Sequence, residues 1–159
     1  MEFKKLPTIK FEDAKITYRN FTGVKTEYNR EGDKNFCVII PDDKIAQQLA
    51  DDGWNVKIKP PRSEDEGTFC YLQVKVNYDN IPPEIYTVTR KGTNLLTDET
   101  VKSLDKASIR SVDLEVRPYN WVTQPGTKNE KSGVAAYVKA MWVVLEESSF
   151  AEKYQKPQE

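Results

Sequence analysis

The chain has 159 residues, with 24 Lys plus Arg against 25 Asp plus Glu, and its net charge of −1 excludes a globally basic protein. A polyanionic partner would therefore have to be bound by a local patch of cations. The chain contains no histidine, which excludes Ser-His and Cys-His catalytic pairs, and we expect no enzymatic activity.

Alternating apolar and polar residues, bounded by Gly, Pro, Asn and Asp, predict mainly strands. Five long strands are predicted, at residues 14–22, 35–40, 69–78, 108–122 and 133–145. Shorter strands are predicted at 54–59 and 85–89, and short helices at 43–51 and 97–105. Asp42 and Thr97 are the expected N-caps of the two helices, because their side chains can accept a backbone hydrogen bond there.

This order of elements, with a helix between the third and fourth long strands, is that of an OB-fold. The predicted fold class is therefore mainly β with two short helices, arranged as a five-stranded OB-fold-like Greek-key barrel with insertions. A β-sandwich is the alternative, because the same strands can form two packed sheets. We expect one domain over residues 1–159, with a core at about 10–147 and a polar tail at 148–159.

Cys37 and Cys70 lie within apolar runs, and the chain opens with MEFKKLPTIK, which lacks the apolar core of a secretory signal. These features are typical of a cytoplasmic protein whose free cysteines pack as small apolar side chains. No apolar run approaches the roughly 20 residues of a membrane-spanning helix. We therefore expect a cytoplasmic protein with no membrane partner, no cofactor and no metal.

Rings alternate with cations on strand faces that are expected to meet solvent. The outward positions of three predicted strands are Thr17, Arg19 and Phe21; Tyr71, Gln73 and Lys75; and Tyr137, Lys139 and Met141. The two loops that flank the binding face of an OB-fold carry the same mixture, with Lys25, Tyr28, Arg30 and Lys34 in the first and Arg117, Tyr119, Trp121, Lys128 and Lys131 around the second. Tyr78 and Trp142 are in phase with apolar residues and are assigned to the core, whereas Trp54 is compatible with either role.

Proteins that hold single-stranded nucleic acid use cations to contact phosphates and rings on which bases stack. The predicted phosphate contacts are Lys15, Arg19, Lys75, Lys128, Lys131 and Lys139. The predicted stacking rings are Phe21, Tyr71, Tyr119, Trp121 and Tyr137. Tyr28, Arg30, Lys34, Gln73 and Arg117 complete the predicted interface. The opposing interpretation is that the rings pack across strands and that the lysines protect sheet edges from aggregation.

The segments YRNFTG, NFCV, GWNVK, YLQVKV, VDLEVRPYNW and AAYVKAMWVVLEE, with FAEKY after them, resemble a family of bacteriophage single-stranded DNA-binding proteins of OB-fold type. The resemblance covers about residues 10–154. It implies coating of exposed single strands during phage replication and recombination, without sequence preference or catalysis, and replication or recombination proteins as further partners.

Many replication single-strand binders end in a strongly acidic tail, and this chain departs from that pattern. Residues 146–159 carry four Glu and two Lys, which leaves two net negative charges. The sequence therefore leaves open whether the tail recruits partners or whether Phe150 and Tyr154 pack back on the barrel.

Two other functions are compatible with the sequence. A structural or adaptor β-domain would use the same Tyr, Trp and Arg side chains to anchor a protein partner. A nuclease would need carboxylates around a divalent cation, and the acidic clusters are Asp42 with Asp43, Asp51 with Asp52, and Glu64 to Glu66. The first pair is better explained by the favourable position of negative charge at a helix N-terminus.

Overall fold

The computed structural model describes residues 6–59, 69–79 and 81–147. These residues form nine strands: β1 (Ile9–Ala14), β2 (Ile16–Asn20), β3 (Lys34–Ile40), β4 (Val56–Lys59), β5 (Phe69–Val76), β6 (Glu84–Thr89), β7 (Gly92–Leu95), β8 (Ile109–Thr123) and β9 (Lys131–Leu145). They also form the helix α1 (Asp43–Asp51) and a 3₁₀ helix (Thr100–Asp105). The prediction of a mainly β protein with two short helices is confirmed. The predicted loop at 62–67 and the tail at 148–159 lie outside the described residues.

The nine strands belong to one sheet, whose main path runs β1, β8, β9, β5, β3, β2. β8 and β9 form a long antiparallel hairpin, and β3 pairs antiparallel with β5. The other edge of β9 pairs in parallel with β5 and, farther along the chain, with β6. β4 is added to the first half of β5, and β7 is added to β6.

The connection between α1 and β4 contacts the start of β9 through the backbone. Trp54 is 3% exposed and forms a parallel bridge with Val134, whose amide donates to the carbonyl of Gly53 over 3.1 Å. Trp54 is therefore a core residue.

The predicted N-cap of α1 is confirmed, because the carboxylate of Asp42 accepts a 2.8 Å hydrogen bond from the amide of Lys44.

The predicted first strand, 14–22, is divided into two strands in the structure. β1 pairs with β8, whereas β2 pairs with β3, and Lys15 lies between them. Tyr18 has a positive φ of 50°, and the pairing of β2 with β3 shifts register between Thr17 and Asn20. A residue in this conformation interrupts the regular alternation of faces.

This interruption exposes the ring of Tyr18 and buries the ring of Phe21. Tyr18 is 47% exposed, whereas Phe21 is 0% exposed and stacks on Phe36 with 5.2 Å between ring centroids. The prediction that Phe21 points outward to stack on bases is therefore wrong. Phe21 instead belongs to the hydrophobic core that the sheet surrounds.

A β-bulge produces a second reversal in β9. Glu115 of β8 is paired with Ala140, but the next residue, Val116, is paired with Val138, so Lys139 is an extra residue. Beyond this bulge the buried face changes. Met141, which was predicted to face outward, is 0% exposed.

Trp142, which was predicted to lie in the core, is instead half-buried on the other face of β9. It stacks on Tyr86 of β6, with 5.7 Å between ring centroids and 14° between ring planes. The bulge at Lys139 explains why the predicted orientations of Met141 and Trp142 are both reversed. The alternation could not reveal the bulge, because the residues that follow it are apolar on both faces of the strand.

Cys37 is a buried thiol on β3, as its apolar surroundings in the sequence predict. Burial raises the pKa of the Cys37 thiol from 9.0 to about 11, and the positive charge of Lys57 opposes this only in part. Cys70 is a half-buried free cysteine that packs against the core. Both cysteines therefore serve as small apolar side chains.

Replacement of Phe21 by Ala should lower the free energy of unfolding by about 3–5 kcal/mol, because it removes a fully buried ring and leaves a cavity. Tyr28→Ala is the matched control, since Tyr28 is 92% exposed and its loss should change stability by less than about 0.5 kcal/mol. Urea denaturation measures both values. Equal stability of the two variants would contradict the burial of Phe21.

The thiol of Cys37 should make stability decrease at alkaline pH. The native state keeps the proton to about pH 11, whereas the unfolded chain loses it near pH 9, so the stabilisation is complete below pH 9 and decreases as pH rises towards 11. Cys37→Ala removes this titration. The unfolding free energy of the wild type minus that of the variant should therefore fall between pH 9 and pH 11 in urea denaturation, and a constant difference would refute the assignment.

Candidate nucleic-acid interface

Strands β3, β5, β8 and β9 present one continuous polar face, which we call the outer face. The strand pairing places Gln73 opposite Cys37, Lys75 beside both Asn35 and Tyr137, and Tyr137 opposite Arg117. Paired residues in neighbouring strands point to the same side of a sheet, so these side chains are neighbours. The alternate residues on β3 and β5, such as Val74, point into the core.

One cluster of rings and cations on the outer face surrounds Tyr137. The guanidinium carbon of Arg117 lies 5.0 Å from the Tyr137 ring centroid, and the Lys75 ammonium lies 6.0 Å from it. The Tyr119 ring meets the Tyr137 ring edge-on, with 6.0 Å between centroids. These four residues form the Tyr137 cluster, and in it the sheet brings together four of the predicted interface residues.

Arg117 of the Tyr137 cluster has an unused hydrogen-bond donor. Its Nε atom is buried and has no hydrogen-bond partner within the described part of the chain. A buried donor of this kind costs free energy unless a ligand or water satisfies it. An anionic or carbonyl oxygen arriving at Tyr137 would supply the missing acceptor.

A second cluster of rings lies toward the start of β5. Its central residue, Tyr71, is about 13 Å along the strand from Lys75, because the two residues are four positions apart. The ring of Tyr71 contacts those of Tyr18 and Phe69, with centroid distances of 5.5 and 5.9 Å. Lys57 of β4 is paired with Tyr71 and is exposed. Tyr18, Lys57, Phe69 and Tyr71 form the Tyr71 cluster.

A groove of about 620 Å³ continues the outer face beyond the end of β5. Residues from the loop 24–33, the ends of β3 and β5, and the segment before β8 form its walls; among them are Tyr28, Arg30, Lys34, Lys75, Tyr78, Asp98 and Tyr137. The groove therefore joins the Tyr137 cluster to the loop between β2 and β3.

Tyr78 and Lys34 support one wall of this groove. The Tyr78 ring packs against the core, and its hydroxyl is buried without a hydrogen-bond partner among the described residues. Burial, with the nearby negative charge of Asp98, raises the pKa of Tyr78 to about 12. The hydroxyl is therefore neutral and protonated at physiological pH.

The Lys34 side chain is only 9% exposed, and its ammonium forms an ion pair with Asp98 above the Tyr78 ring. Its charge is thus already neutralised within the protein. The burial and the carboxylate give this cation a structural role, and contact of Lys34 with nucleic acid stays a prediction.

Arg19 and Lys15 also hold the fold together. Arg19 donates to the carbonyl oxygens of Leu104 and Ala107, over 2.8 and 2.7 Å, and Lys15 donates to the carbonyl oxygen of Arg110. Both side chains line a separate recess beside the 3₁₀ helix. Arg19 thereby fixes the end of the 3₁₀ helix against β2, and Lys15 is attached to the start of β8. Contact of these two cations with phosphates stays a prediction.

The remaining predicted residues are exposed around the outer face. Tyr28 is 92% exposed, and the Arg30 side chain is 91% exposed and lies 3.4 Å from the Asp33 carboxylate. Lys128 and Lys131 lie at the turn of the β8–β9 hairpin, and Lys139 occupies the bulge; all three are exposed.

Trp121 is paired with Gly133 across the hairpin and is 36% exposed. A Cβ atom at position 133 would approach the Trp121 ring to 2.8 Å. Only glycine at this position therefore lets the ring lie against β9 while its other surface meets solvent.

Three residues of the Tyr71 cluster were not among the predicted site residues. Phe69 and Lys57 could have been found, because they alternate in phase with the outward side chains of β5 and β4. Tyr18 could not, because its orientation depends on its positive φ.

The acidic clusters do not assemble a metal site in the described part of the chain. Within residues 6–59, 69–79 and 81–147, no three His, Cys, Asp or Glu side chains are placed to hold a metal ion together. Asp51 instead accepts a 2.9 Å hydrogen bond from Gln47. The cluster Glu64 to Glu66 lies outside the described residues.

None of the described helices is long and apolar enough to span a membrane.

Three solved structures similar to this one are single-stranded DNA-binding proteins of bacteriophage Enc34. The protein in complex with ssDNA has a TM-score of 0.57 and 12% identity, covering 90% of this chain and 89% of that chain. A C-terminal truncation has a TM-score of 0.53 and 13% identity, with 89% and 87% covered. Another structure of the Enc34 protein has a TM-score of 0.51 and 13% identity, covering 94% of this chain and 87% of the Enc34 chain. At these identities the likeness establishes a common fold.

The sequence matches none of the curated proteins with which it was compared. A family model described as a putative phage ssDNA-binding domain matches residues 1–158, which is nearly the whole chain. The chain therefore belongs to the family of putative phage ssDNA-binding domains.

Proposed function

We propose that this protein binds single-stranded DNA without sequence specificity and without catalysis, and protects exposed strands during phage replication and recombination in the host cytoplasm. The observation that carries the proposal is the presence of two ring and cation clusters on one outer face. Family membership supports the same ligand, as does the similarity in fold to a phage protein in complex with ssDNA.

We further propose that the sheet is an OB-type barrel of five strands within a single domain over residues 1–159. The first barrel strand would be β1 with β2, followed by β3, β5, β8 and β9. The pairings support this assignment, because β1 pairs with β8 at one end of the main path and β2 pairs with β3 at the other. α1 with β4, and β6 with β7, would then be insertions into the barrel.

The two clusters suit a flexible, unpaired strand better than a duplex. Bases that are not paired can stack on Tyr71 and Tyr137, with a gain of about 1–3 kcal/mol per base. The separation of about 13 Å along β5 leaves room for further nucleotides between these rings. Rings accept any base, which accounts for binding without sequence preference.

Phosphate contacts would come from the cations that are exposed or lack a partner carboxylate at the outer face. Lys75 and Arg117 lie beside the ring of Tyr137, where a stacked base would bring its own phosphate near them. The proposed contact residues are Tyr28, Arg30, Tyr71, Gln73, Lys75, Arg117, Tyr119, Trp121, Lys128, Lys131, Tyr137 and Lys139. Such a local patch is compatible with a net charge of −1.

Titration with oligothymidine should quench the tryptophan fluorescence of the protein, with an affinity that falls steeply as salt rises. Each neutralised phosphate releases counterions, so the logarithm of the affinity should fall linearly with the logarithm of salt concentration. The quenching should come from Trp121, because Trp54 is 3% exposed and Trp142 is stacked on Tyr86.

Trp121→Phe is the control for this assignment. The variant should still bind a fluorescently labelled oligothymidine in an anisotropy measurement, with little remaining change in its own tryptophan emission. Absence of binding by the wild-type protein at low salt would overturn the proposed function and would favour a protein-binding role for the same rings.

Lys75→Ala should weaken binding and lower the salt dependence by about 0.7 in slope, which corresponds to the loss of one phosphate contact on a single strand. Lys91→Ala is the matched control, because Lys91 is exposed in the turn between β6 and β7. β6 pairs with the distant half of β9, so this turn lies far from Tyr137. Equal effects of the two substitutions on the anisotropy titration would argue against the outer face as the binding surface.

A further inference from the structure

Residues 24–33, within the connection between β2 and β3, form a loop whose two ends are close together. The amide of Gly32 donates to the carbonyl of Gly23 over 2.8 Å. Gly23 has a positive φ of 79°, and a Cβ atom on it would lie 3.0 Å from the carbonyl carbon of Gly32. The two arms of the loop thus approach each other at Gly23 more closely than a residue with a side chain there would permit.

The side chain of Asn29 points into this loop and forms hydrogen bonds with the loop backbone and with β3. Its amide nitrogen shares its two hydrogens among three carbonyl oxygens, those of Val24 at 2.9 Å, Arg30 at 3.1 Å and Asp33 at 3.0 Å. Its amide oxygen accepts a 2.8 Å hydrogen bond from the side chain of Asn35. One side chain therefore holds both arms of the loop and attaches the loop to β3.

The same network continues onto the outer face. The side-chain oxygen of Asn35 accepts a long hydrogen bond of 3.5 Å from Gln73, and Asn35 is paired with Lys75. Asn20 adds a second attachment, because its side-chain oxygen accepts from the amides of Gly23 and Val24 over 3.0 and 2.9 Å. The backbone of the loop is thereby fixed relative to the strands of the proposed DNA site.

The side chains of the two residues beside Asn29 in the chain are exposed, and the contact that the structure shows for Arg30 is an exposed ion pair with Asp33. Tyr28 is 92% exposed, and the Arg30 side chain is 91% exposed, although both residues line the groove. Anchoring a loop backbone while leaving its ring and its cation in solvent contributes little to core stability. It does reduce the conformational entropy that a ligand must overcome when it binds these side chains.

We propose that Asn29 is a positioning residue for DNA binding, which holds the loop 24–33 so that Tyr28 stacks on a base and Arg30 contacts the same strand along the groove. This inference rests on the proposed function. Asn29 itself touches no DNA in this arrangement. Its effect on affinity therefore passes through Tyr28 and Arg30.

A double-mutant cycle tests the proposal by anisotropy titration with labelled oligothymidine. Tyr28→Ala should weaken binding by about fivefold or more, as expected for one lost stacking ring. Asn29→Ala should weaken it by about threefold to tenfold through a less ordered loop. The double variant should bind more tightly than the product of the two single effects predicts, because the part of the Asn29 effect that passes through Tyr28 is already lost in Tyr28→Ala.

Loop order is measured separately by amide hydrogen exchange. In Asn29→Ala the amides of Val24 and Gly32 should exchange faster, whereas amides of β8 and β9 should keep their wild-type protection. Asn94→Ala, on the exposed strand β7, is the matched control and should change neither affinity nor loop exchange. Should Asn29→Ala fail to fold, Asn35→Ala breaks the same network from the side of β3 and replaces it in the cycle.

The outcomes separate this inference from the proposed function. Wild-type protein that binds DNA, with an Asn29→Ala variant of equal affinity, would overturn the positioning role alone. Effects of Tyr28→Ala and Asn29→Ala that multiply in the double variant would also overturn it, because independent contributions multiply. A wild-type protein that does not bind oligothymidine would instead refute the proposed function.

Discussion

The arrangement of the sheet depends on how the two edges of β9 are paired. One edge is paired with β8 along its length, while the other is shared between β5 and β6. β5 can pair with β9 only at Val74 and Lys75, because β4 occupies its first half. This short parallel contact places Lys75 beside Tyr137 and joins the face of β3 and β5 to the hairpin of β8 and β9. Without it, the rings and cations would lie on separate surfaces.

Local departures from regular strand geometry decide which side chains reach that face. The bulge at Lys139 turns Met141 into the core, and the positive φ of Tyr18 brings this ring to Tyr71 while Phe21 is buried. In β9 beyond the bulge both faces of the strand are apolar, so either register buries an apolar face and the hydrophobic pattern does not select between them. In β2 the orientation of the rings depends on the positive φ of Tyr18, which alternation does not predict.

Cations of the same type have different roles because their surroundings differ. Arg19 meets two backbone carbonyls and Lys34 meets the Asp98 carboxylate, so both contribute to the fold. Lys75 and Arg117 meet a tyrosine ring, which leaves their charge without an anionic partner among the described residues. A cation held over a ring but not neutralised is placed to meet an anion. Asn29 in the loop 24–33, together with Asn20 of β2 and Asn35 of β3, attaches the backbone beside Tyr28 to the sheet.

The sequence by itself determined the mainly β content with two short helices, the approximate positions of four of the five long strands, α1 with its N-cap, and the outward phase of β5 and of β8 near Tyr119. These features depend on local alternation and capping, which residues close in the chain decide. Only the tertiary structure decided the burial of Phe21 and Met141, the structural use of Lys15, Arg19 and Lys34, and the assembly of the Tyr137 cluster. Each of these depends on partners distant in sequence, such as Asp98 for Lys34 and Lys75 for Tyr137, and no local pattern encodes which distant partner a side chain meets.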